Sequence, residues 1–144
     1  MIDAAWTWNH HSHIPSSTDA GHAIIESLMT ALEEAGWEGR ELFHVRMSVE
    51  EAMVNAVTHG NKKADDKQVE IEFKVAKDVC YLRLKDEGEG FRLEDIPDPR
   101  AEDRLECTHG RGVMLIHELM TEVTYNDNCN QVTMIKRREL PDEQ

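Results

Sequence analysis

The chain has 144 residues, of which 40% are hydrophobic and 31% charged, and this composition fits a single domain, residues 1–144, with a modest core. Its 16 basic and 29 acidic residues give a net charge of −13, which disfavours direct binding to the phosphate backbone of nucleic acids. No apolar run approaches the ~20 residues of a membrane span, and the 3 cysteines are scattered, so we expect a cytoplasmic protein without a membrane segment, a disulfide framework or a zinc site.

The first half of the sequence predicts one strand and two helices. Residues 6–14, WTWNHHSHI, suit an opening strand, and Pro15 with the following SST supplies a turn and a helix cap. Apolar residues recur with helical spacing over residues 19–35, and Gly36 ends this segment. A second helix is predicted over residues 40–59, with an apolar stripe that should face a core: Leu42, Val45, Val49, Ala52 and Ala56.

The second half predicts two hairpins separated by a loop and a helix. VEIEFKV alternates strictly and is joined through AKD to VCYLRL, as in a hairpin. KDEGEGF is a glycine-rich loop, GRGVMLIHELM begins a helix, and EVTYND with QVTMIKR forms a closing hairpin. This order predicts an α+β fold, a two-layer sandwich in which a mixed, mostly antiparallel sheet carries its helices on one face.

The second helix also carries a polar column beside its apolar stripe. Polar residues recur there at i, i+3 or i+4 spacing: Ser48, Glu51, Asn55, His59 and Lys62. An amide oxygen one turn from a carboxylate suits Mg²⁺ that also binds phosphates, and Glu51 could deprotonate a hydroxyl or a water molecule. By itself, the column is equally compatible with a polar helix edge that ends at Gly60.

Two later stretches contain glycine pairs. In DEGEGF, residues 86–91, Asp86 follows a strand, where its carboxylate could accept a hydrogen bond from an exocyclic amine such as that of adenine. In THGRGV, residues 108–113, two glycines open an apolar helix whose unpaired N–H groups favour an anion such as phosphate. Taken singly, the first stretch also fits a tight acidic turn, and the second a helix start that needs small residues.

Together and in this order, the three stretches resemble the asparagine box and the two glycine boxes of the GHKL (Bergerat-fold) ATPase superfamily. The resemblance covers roughly residues 18–138, and EEAMVNAVTHGN is most similar to the anti-sigma-factor serine kinases of bacterial partner switching. It implies ATP and Mg²⁺ as cofactors, Glu51 as general base and Asn55 as Mg²⁺ ligand. The other residues that it implies in the nucleotide site are His59, Gly60, Asp86, Gly88, Gly90, Phe91, Thr108, Gly110, Arg111, Gly112 and Val113.

The resemblance also implies specific roles and partners. Asp86 would read adenine, and residues 91–109 would form a mobile lid over the phosphates. The expected substrate is a small antagonist (anti-anti-sigma-like) protein, phosphorylated on serine or threonine. Whether a sigma factor is a second partner, and whether the protein forms a homodimer, both stay open. The alternatives are a nucleotide-gated protein-binding module with little or no kinase activity, and a detached histidine-kinase catalytic domain, which the short chain disfavours.

Two further features of the sequence need an interpretation: an alternative candidate for the base, and a group of histidines in the first predicted strand. Glu50 stands beside Glu51 but points about 100° away around the helix, so we assign the base to Glu51. His11 and His13 occupy alternate strand positions and share a face, so we considered a metal site there. Because the sequence shows no carboxylate or cysteine pattern near them, an exposed strand is the preferred interpretation of these two residues and of His10.

Overall fold

Five strands and three α-helices make up the computed structural model, which describes residues 5–60, 66–87, 111–127 and 130–138. The strands are β1 (Trp8–Pro15), β2 (Gln68–Val75), β3 (Val79–Lys85), β4 (Glu122–Tyr125) and β5 (Gln131–Arg137). The helices are α1 (Thr18–Glu34), α2 (Gly39–Val54) and α3 (Arg111–Leu119). Within these residues, no helix is both long enough and apolar enough to cross a membrane.

The strands form one sheet in the order β1-β2-β3-β5-β4, and every pairing described is antiparallel. Alternation along β2 and β3 places apolar side chains on the face that meets the helices, and their burial removes apolar surface from water. The fully buried side chains of these strands include Val69, Ile71, Phe73, Leu82 and Leu84. The predicted α+β sandwich is therefore confirmed.

The apolar stripe of α2 meets this sheet as the sequence predicts. Its buried members are Val45, Val49, Ala52 and Ala56, and Leu42 packs against the same core at partial exposure. Since α2 also contacts α1 and α3, it is the central helix of the layer. The side of α2 that does not face the sheet is therefore divided between its two neighbours and solvent.

Both ends of α1 follow the predicted signals. Ser17 precedes the helix in an extended conformation, and its Oγ accepts a hydrogen bond from the Ala20 N–H at 3.1 Å, which satisfies one of the free donors of the first turn. Gly36 follows the helix with φ of +92°, a conformation that side chains with a Cβ rarely adopt. The helix therefore ends where the sequence places its glycine.

Trp37 fixes the corner between α1 and α2. The side chain is buried, and its Nε1–H donates to the Ala76 carbonyl of the β2–β3 hairpin at 2.9 Å. The guanidinium of Arg138 lies 4.9 Å from the centre of the indole ring and donates to the Gly36 carbonyl at 2.8 Å. These contacts fix the position at which α2 begins relative to the sheet.

The helix predicted over residues 40–59 changes its winding before its end. Regular α-helix stops at Val54, and residues Asn55–Gly60 form a π-helical turn. A π-helical turn contains more residues than an α-helical turn and occurs frequently at functional sites. The column predicted to run from Asn55 to His59 assumes α-helical spacing, which the backbone does not keep over this turn.

The outer face of the sheet carries a charged network around Glu70 on β2. The Glu70 carboxylate accepts hydrogen bonds from His11 Nε2 at 2.7 Å and from Arg83 Nη2 at 3.2 Å. These two donors, His11 first, lower the pKa of Glu70 from 4.5 to about 2. Arg83 also bonds Glu72 at 3.3 Å, so the network joins β1, β2 and β3.

This network should make part of the stability depend on pH. Because the folded-state pKa of Glu70 is depressed from 4.5 to about 2, its stabilising contribution is present above 4.5 and is lost as the pH falls toward 2. We expect Glu70→Gln to lower the free energy of unfolding at about pH 6, and the difference from wild type to shrink as the pH approaches about 2. Urea unfolding of both proteins across this range tests the expectation, and a difference that stays constant would contradict it.

The three histidines of β1 divide between the two faces of the sheet. His10 lies on the core side, where its Nε2 is hydrogen-bonded to Ser12 Oγ at 2.8 Å and its ring stacks on Trp8. His11 and His13 lie on the outer side, and His13 stands opposite Glu70 in the strand pairing. A carboxylate therefore lies near this pair, which the sequence did not show.

Candidate functional site

Glu51 and Asn55 lie where α2 passes into the π-helical turn. Both side chains are partly exposed, and Asn55 is the first residue of the turn, so its backbone N–H reaches the carbonyls of Glu51 and Ala52 together. Glu51 follows His44 by about two helical turns and lies on the same side of the helix. The neighbours of His44 therefore show what this side of α2 faces.

Lys136 on β5 joins His44 to the C-terminal end of α3. Its Nζ donates to the Leu119 carbonyl at 2.6 Å and is hydrogen-bonded to His44 Nδ1 at 3.0 Å. Burial lowers the pKa of Lys136, and burial followed by the charge of Lys136 lowers the pKa of His44. The lowered pKa of His44 favours a neutral imidazole, whose Nδ1 can accept a hydrogen bond from Lys136 Nζ.

This contact sets the direction of α3 relative to the candidate catalytic residues. Since α3 contacts α2 and its C-terminal end is held beside His44, near the start of α2, we infer that α3 runs antiparallel to α2, with its N-terminal end at Arg111 toward the part of α2 that carries Glu51 and Asn55. The first N–H groups of a helix are free to bind an anion. In this arrangement the first N–H groups of α3, which can bind an anion, are directed toward the carboxylate of Glu51 and the amide of Asn55.

Glu50 is turned away from this arrangement. Its carboxylate pairs with Arg46 Nε at 3.4 Å, and Arg46 Nη2 lies 2.5 Å from a carboxylate oxygen of Glu26 on α1. Glu50 therefore lies on the α1 side of α2, whereas Glu51 lies on the side that faces α3. The assignment of the base to Glu51 stays a prediction, and this geometry favours it over Glu50.

The predicted polar column begins later than the sequence pattern indicates. Ser48 is fully buried, and its Oγ has no hydrogen-bond partner among the described residues. A serine at this position lies about 60° closer to the core than Glu51, because successive residues step by about 100° around the helix. Of the members of the predicted column whose side chains the structure describes, Glu51 and Asn55 are the ones that reach a partly exposed surface.

Asp86 is held by its backbone at the end of β3. Its N–H donates to the Asn130 carbonyl at 2.9 Å, and Asn130 Nδ2 donates to the Asp86 carbonyl at 3.3 Å. The next residue, Glu87, accepts a hydrogen bond from the Gln68 N–H on β2. The position at which the sequence predicts an adenine-reading carboxylate is thus held by the turn that precedes β5 and, one residue later, by β2.

Sequence reasoning did not identify the asparagines that support Asp86. Asn126 Oδ1 accepts from the N–H groups of Asn130 at 3.0 Å and Gln131 at 3.1 Å, and this closes the turn between β4 and β5. Asn130, oriented by this turn, then bonds the Asp86 backbone. The signal in the sequence is NDNCN, in which asparagines crowd a hairpin turn far from Asp86 along the chain.

Several predicted residues lie outside what the structure describes. These are Gly88, Gly90, Phe91, Thr108 and Gly110, together with the predicted lid, residues 91–109. The backbone of Arg111, Gly112 and Val113 forms the first turn of α3, and that of His59 and Gly60 ends the π-helical turn, but their side chains are outside the described part. Their roles stay predictions.

The donors at the end of α2 fit a magnesium ion that binds together with phosphates. Asn55 supplies a neutral amide oxygen and Glu51 a carboxylate, and both are partly exposed. Mg²⁺ prefers oxygen ligands and usually keeps several waters while it bridges substrate phosphates, so one or two protein ligands are enough. Within the described ranges, no cluster of three or more His, Cys, Asp or Glu side chains forms a protein-only metal site.

Comparison with known proteins decides the family. A family model described as the histidine kinase-like ATPase domain matches residues 14–136. The chain belongs to the histidine kinase-like ATPase domain family. The resemblance noted in the sequence is thereby confirmed, and ATP is the ligand that this family indicates.

Curated proteins from several bacteria resemble this chain over two thirds or more of its length. Serine-protein kinase RsbW of Listeria monocytogenes serotype 4a is 31% identical over 76% of this chain and 74% of its own. Anti-sigma F factor of Bacillus velezensis is 31% identical over 67% of each chain. Serine-protein kinase RsbW of Oceanobacillus iheyensis is 27% identical over 71% of this chain and 68% of its own.

Proposed function

We propose that this chain is a Mg-ATP-dependent serine/threonine protein kinase of a partner-switching pathway. It phosphorylates a small antagonist protein and binds a sigma factor. The name serine-protein kinase RsbW supports the kinase activity, and the name anti-sigma F factor supports binding of a sigma factor. The observation that supports it is the partial exposure of Glu51 on the same side of α2 as His44, which Lys136 joins to the C-terminal end of α3.

Each residue at the site has a defined task in this reaction. Asp86 accepts a hydrogen bond from the adenine amine, and the first N–H groups of α3 bind phosphate oxygens. Asn55 would hold Mg²⁺, which neutralises charge on the phosphates when it is bound. Glu51 takes the proton of the substrate hydroxyl while the hydroxyl oxygen bonds to the γ-phosphorus. The bond from that phosphorus to the bridging oxygen breaks, and ADP leaves.

Phosphoserine formation tests the proposed function directly. The protein is purified together with the products of its neighbouring genes, Mg-ATP is added, and the mixture is analysed by mass spectrometry. We expect phosphoserine or phosphothreonine on one small partner, at a level that depends on Mg²⁺. ATP-dependent binding of a partner that never acquires phosphate would favour the nucleotide-gated binding module over the kinase.

Asp86 should set the preference for adenine over guanine. Its carboxylate can accept from the adenine amine but would face the carbonyl oxygen of guanine, which is also an acceptor. We expect Asp86→Asn to weaken ATP binding about tenfold or more, as loss of a hydrogen bond to a charged group does, and to narrow the difference between ATP and GTP. Calorimetry with both nucleotides measures this change.

Glu87→Gln is the matched control for Asp86→Asn. The side-chain oxygen of the introduced glutamine can still accept a hydrogen bond from the Gln68 N–H, so residue 87 stays bonded to β2. The variant should bind ATP like the wild type. Unchanged nucleotide preference in Asp86→Asn would remove Asp86 from the adenine-reading role.

A further inference from the structure

The exposed surface of α2 carries an apolar strip that the fold does not use. Among the described residues, the large hydrophobic side chains that remain exposed are Phe43 at 57% and Val54 at 43%. They lie about three helical turns apart, which places them on the same side of α2. Met47, one turn after Phe43, is half-buried and lies between them. We name these three residues the α2 ridge.

The α2 ridge lies opposite the face that α2 buries. Val45 and Val49 are fully buried against the sheet, and the ridge residues lie about 160° from them around the helix. The ridge therefore contributes little to the core. Exposed apolar side chains that are gathered on one surface mark sites where another molecule binds.

The margins of the α2 ridge are acidic. On the α1 side, the two carboxylates of Glu26 and Glu50 share the single guanidinium of Arg46, which leaves a net negative charge. On the opposite side, Glu51 stands one turn before Val54 and the exposed Arg40 one turn before Phe43, so the net charge of the two margins is negative and is concentrated near Val54. Acidic margins repel the anionic surface of a membrane and attract basic side chains. The complementary partner is a protein helix with an apolar stripe bordered by lysine or arginine.

The α2 ridge also leads directly to the candidate catalytic residues. Val54 lies one helical turn after Glu51 and immediately precedes Asn55. A kinase must bring the substrate hydroxyl within hydrogen-bond reach of its base, so a protein substrate has to cover the surface beside Glu51. A helix that lies along the ridge would span roughly 16 Å and end at that surface.

We propose that the α2 ridge is the docking surface for the antagonist protein, which binds it through an apolar helix face with basic margins. The inference rests on the proposed function for the identity of the partner. It adds the surface and the chemistry of recognition. Phe43 is the anchor, because exposed aromatic side chains dominate the energetics of such contacts.

Calorimetry with each small protein encoded by the genes that neighbour this one tests the docking surface. The kinase is loaded with Mg²⁺ and a non-hydrolysable ATP analogue, so that binding is measured without phosphoryl transfer. We expect Phe43→Ser to weaken binding of the antagonist about tenfold or more, as is typical of an anchor residue. Phe43→Leu keeps an apolar side chain and should retain most of the affinity. Both variants should bind nucleotide like the wild type, because Phe43 points to solvent.

The possible outcomes distinguish failure of the docking proposal from failure of the proposed kinase activity. Equal antagonist affinity in Phe43→Ser and wild type, or no binding to wild type, would overturn the docking proposal even where phosphoserine forms. Loss of binding in Phe43→Ser without any phosphoserine in the wild type would support the ridge and reject the kinase. Sedimentation of the free protein adds a further arm: a dimer that Phe43→Ser converts to monomer would assign the ridge to a second copy instead.

Discussion

Replacing Glu51 by glutamine is expected to reduce phosphoryl transfer about 10²- to 10⁴-fold while nucleotide binding is retained. The amide has nearly the shape of the carboxylate but cannot accept the proton of the substrate hydroxyl. Glu51 is partly exposed and lies outside the buried core, so the variant should fold normally. Single-turnover transfer of labelled phosphate to the antagonist, with the ATP affinity measured separately, distinguishes loss of chemistry from loss of binding.

Glu50→Gln is the control that the structure supplies for this prediction. The substitution has the same chemistry one residue away, but Glu50 pairs with Arg46 on the α1 side of the helix. Its maximal transfer rate at saturating antagonist should stay near that of the wild type. If Glu51→Gln kept the wild-type rate, or if Glu50→Gln lost it, the base would have been assigned to the wrong carboxylate.

Asn55→Ala should act on binding rather than on the proton transfer. Loss of the amide oxygen removes the protein ligand proposed for Mg²⁺, so the affinity for Mg-ATP should fall at least about 10- to 100-fold, the loss typical of residues that only support a metal ligand. The affinity for ATP without Mg²⁺ should change little. Titration of ATP with and without Mg²⁺ therefore measures the contribution of Asn55 to metal binding.

Thr58→Ala is the comparison for Asn55. Thr58 lies in the same π-helical turn and is also partly exposed, so its truncation reports any general effect of changing this turn. It should leave the Mg²⁺ dependence of ATP binding unchanged. An equal loss of Mg²⁺ dependence in both variants would mean that the turn as a whole, rather than the Asn55 amide, supports the metal.

Most of the fold could be predicted because its signals are local. Strict alternation in VEIEFKV gives the buried face of β2, and helical spacing gives the buried stripe of α2. The angle between Glu50 and Glu51 also follows from helix geometry alone, and the ion pair of Glu50 with Arg46 agrees with it. These features depend on residues a few positions apart.

The features that the sequence did not reveal depend on distant parts of the chain. Lys136 meets His44, 92 positions away, and Asn130 meets Asp86, 44 positions away. Such contacts follow from strand order and register, which no local pattern specifies. The π-helical turn after Val54 was missed because α-helical and π-helical winding place apolar residues similarly over so few positions.

The double hydrogen bond between Asp86 and Asn130 has a consequence for how this protein can diversify. The Asp86 backbone is hydrogen-bonded to the β4–β5 turn and the Glu87 side chain to β2, so the contacts that hold the position predicted to read adenine are complete before residue 88. Insertions, deletions or complete replacement of the sequence from residue 88 onward need not disturb these hydrogen bonds. Evolution can therefore vary that sequence for different partners without moving Asp86, the residue predicted to read adenine, and an engineer can exchange the sequence as a cassette.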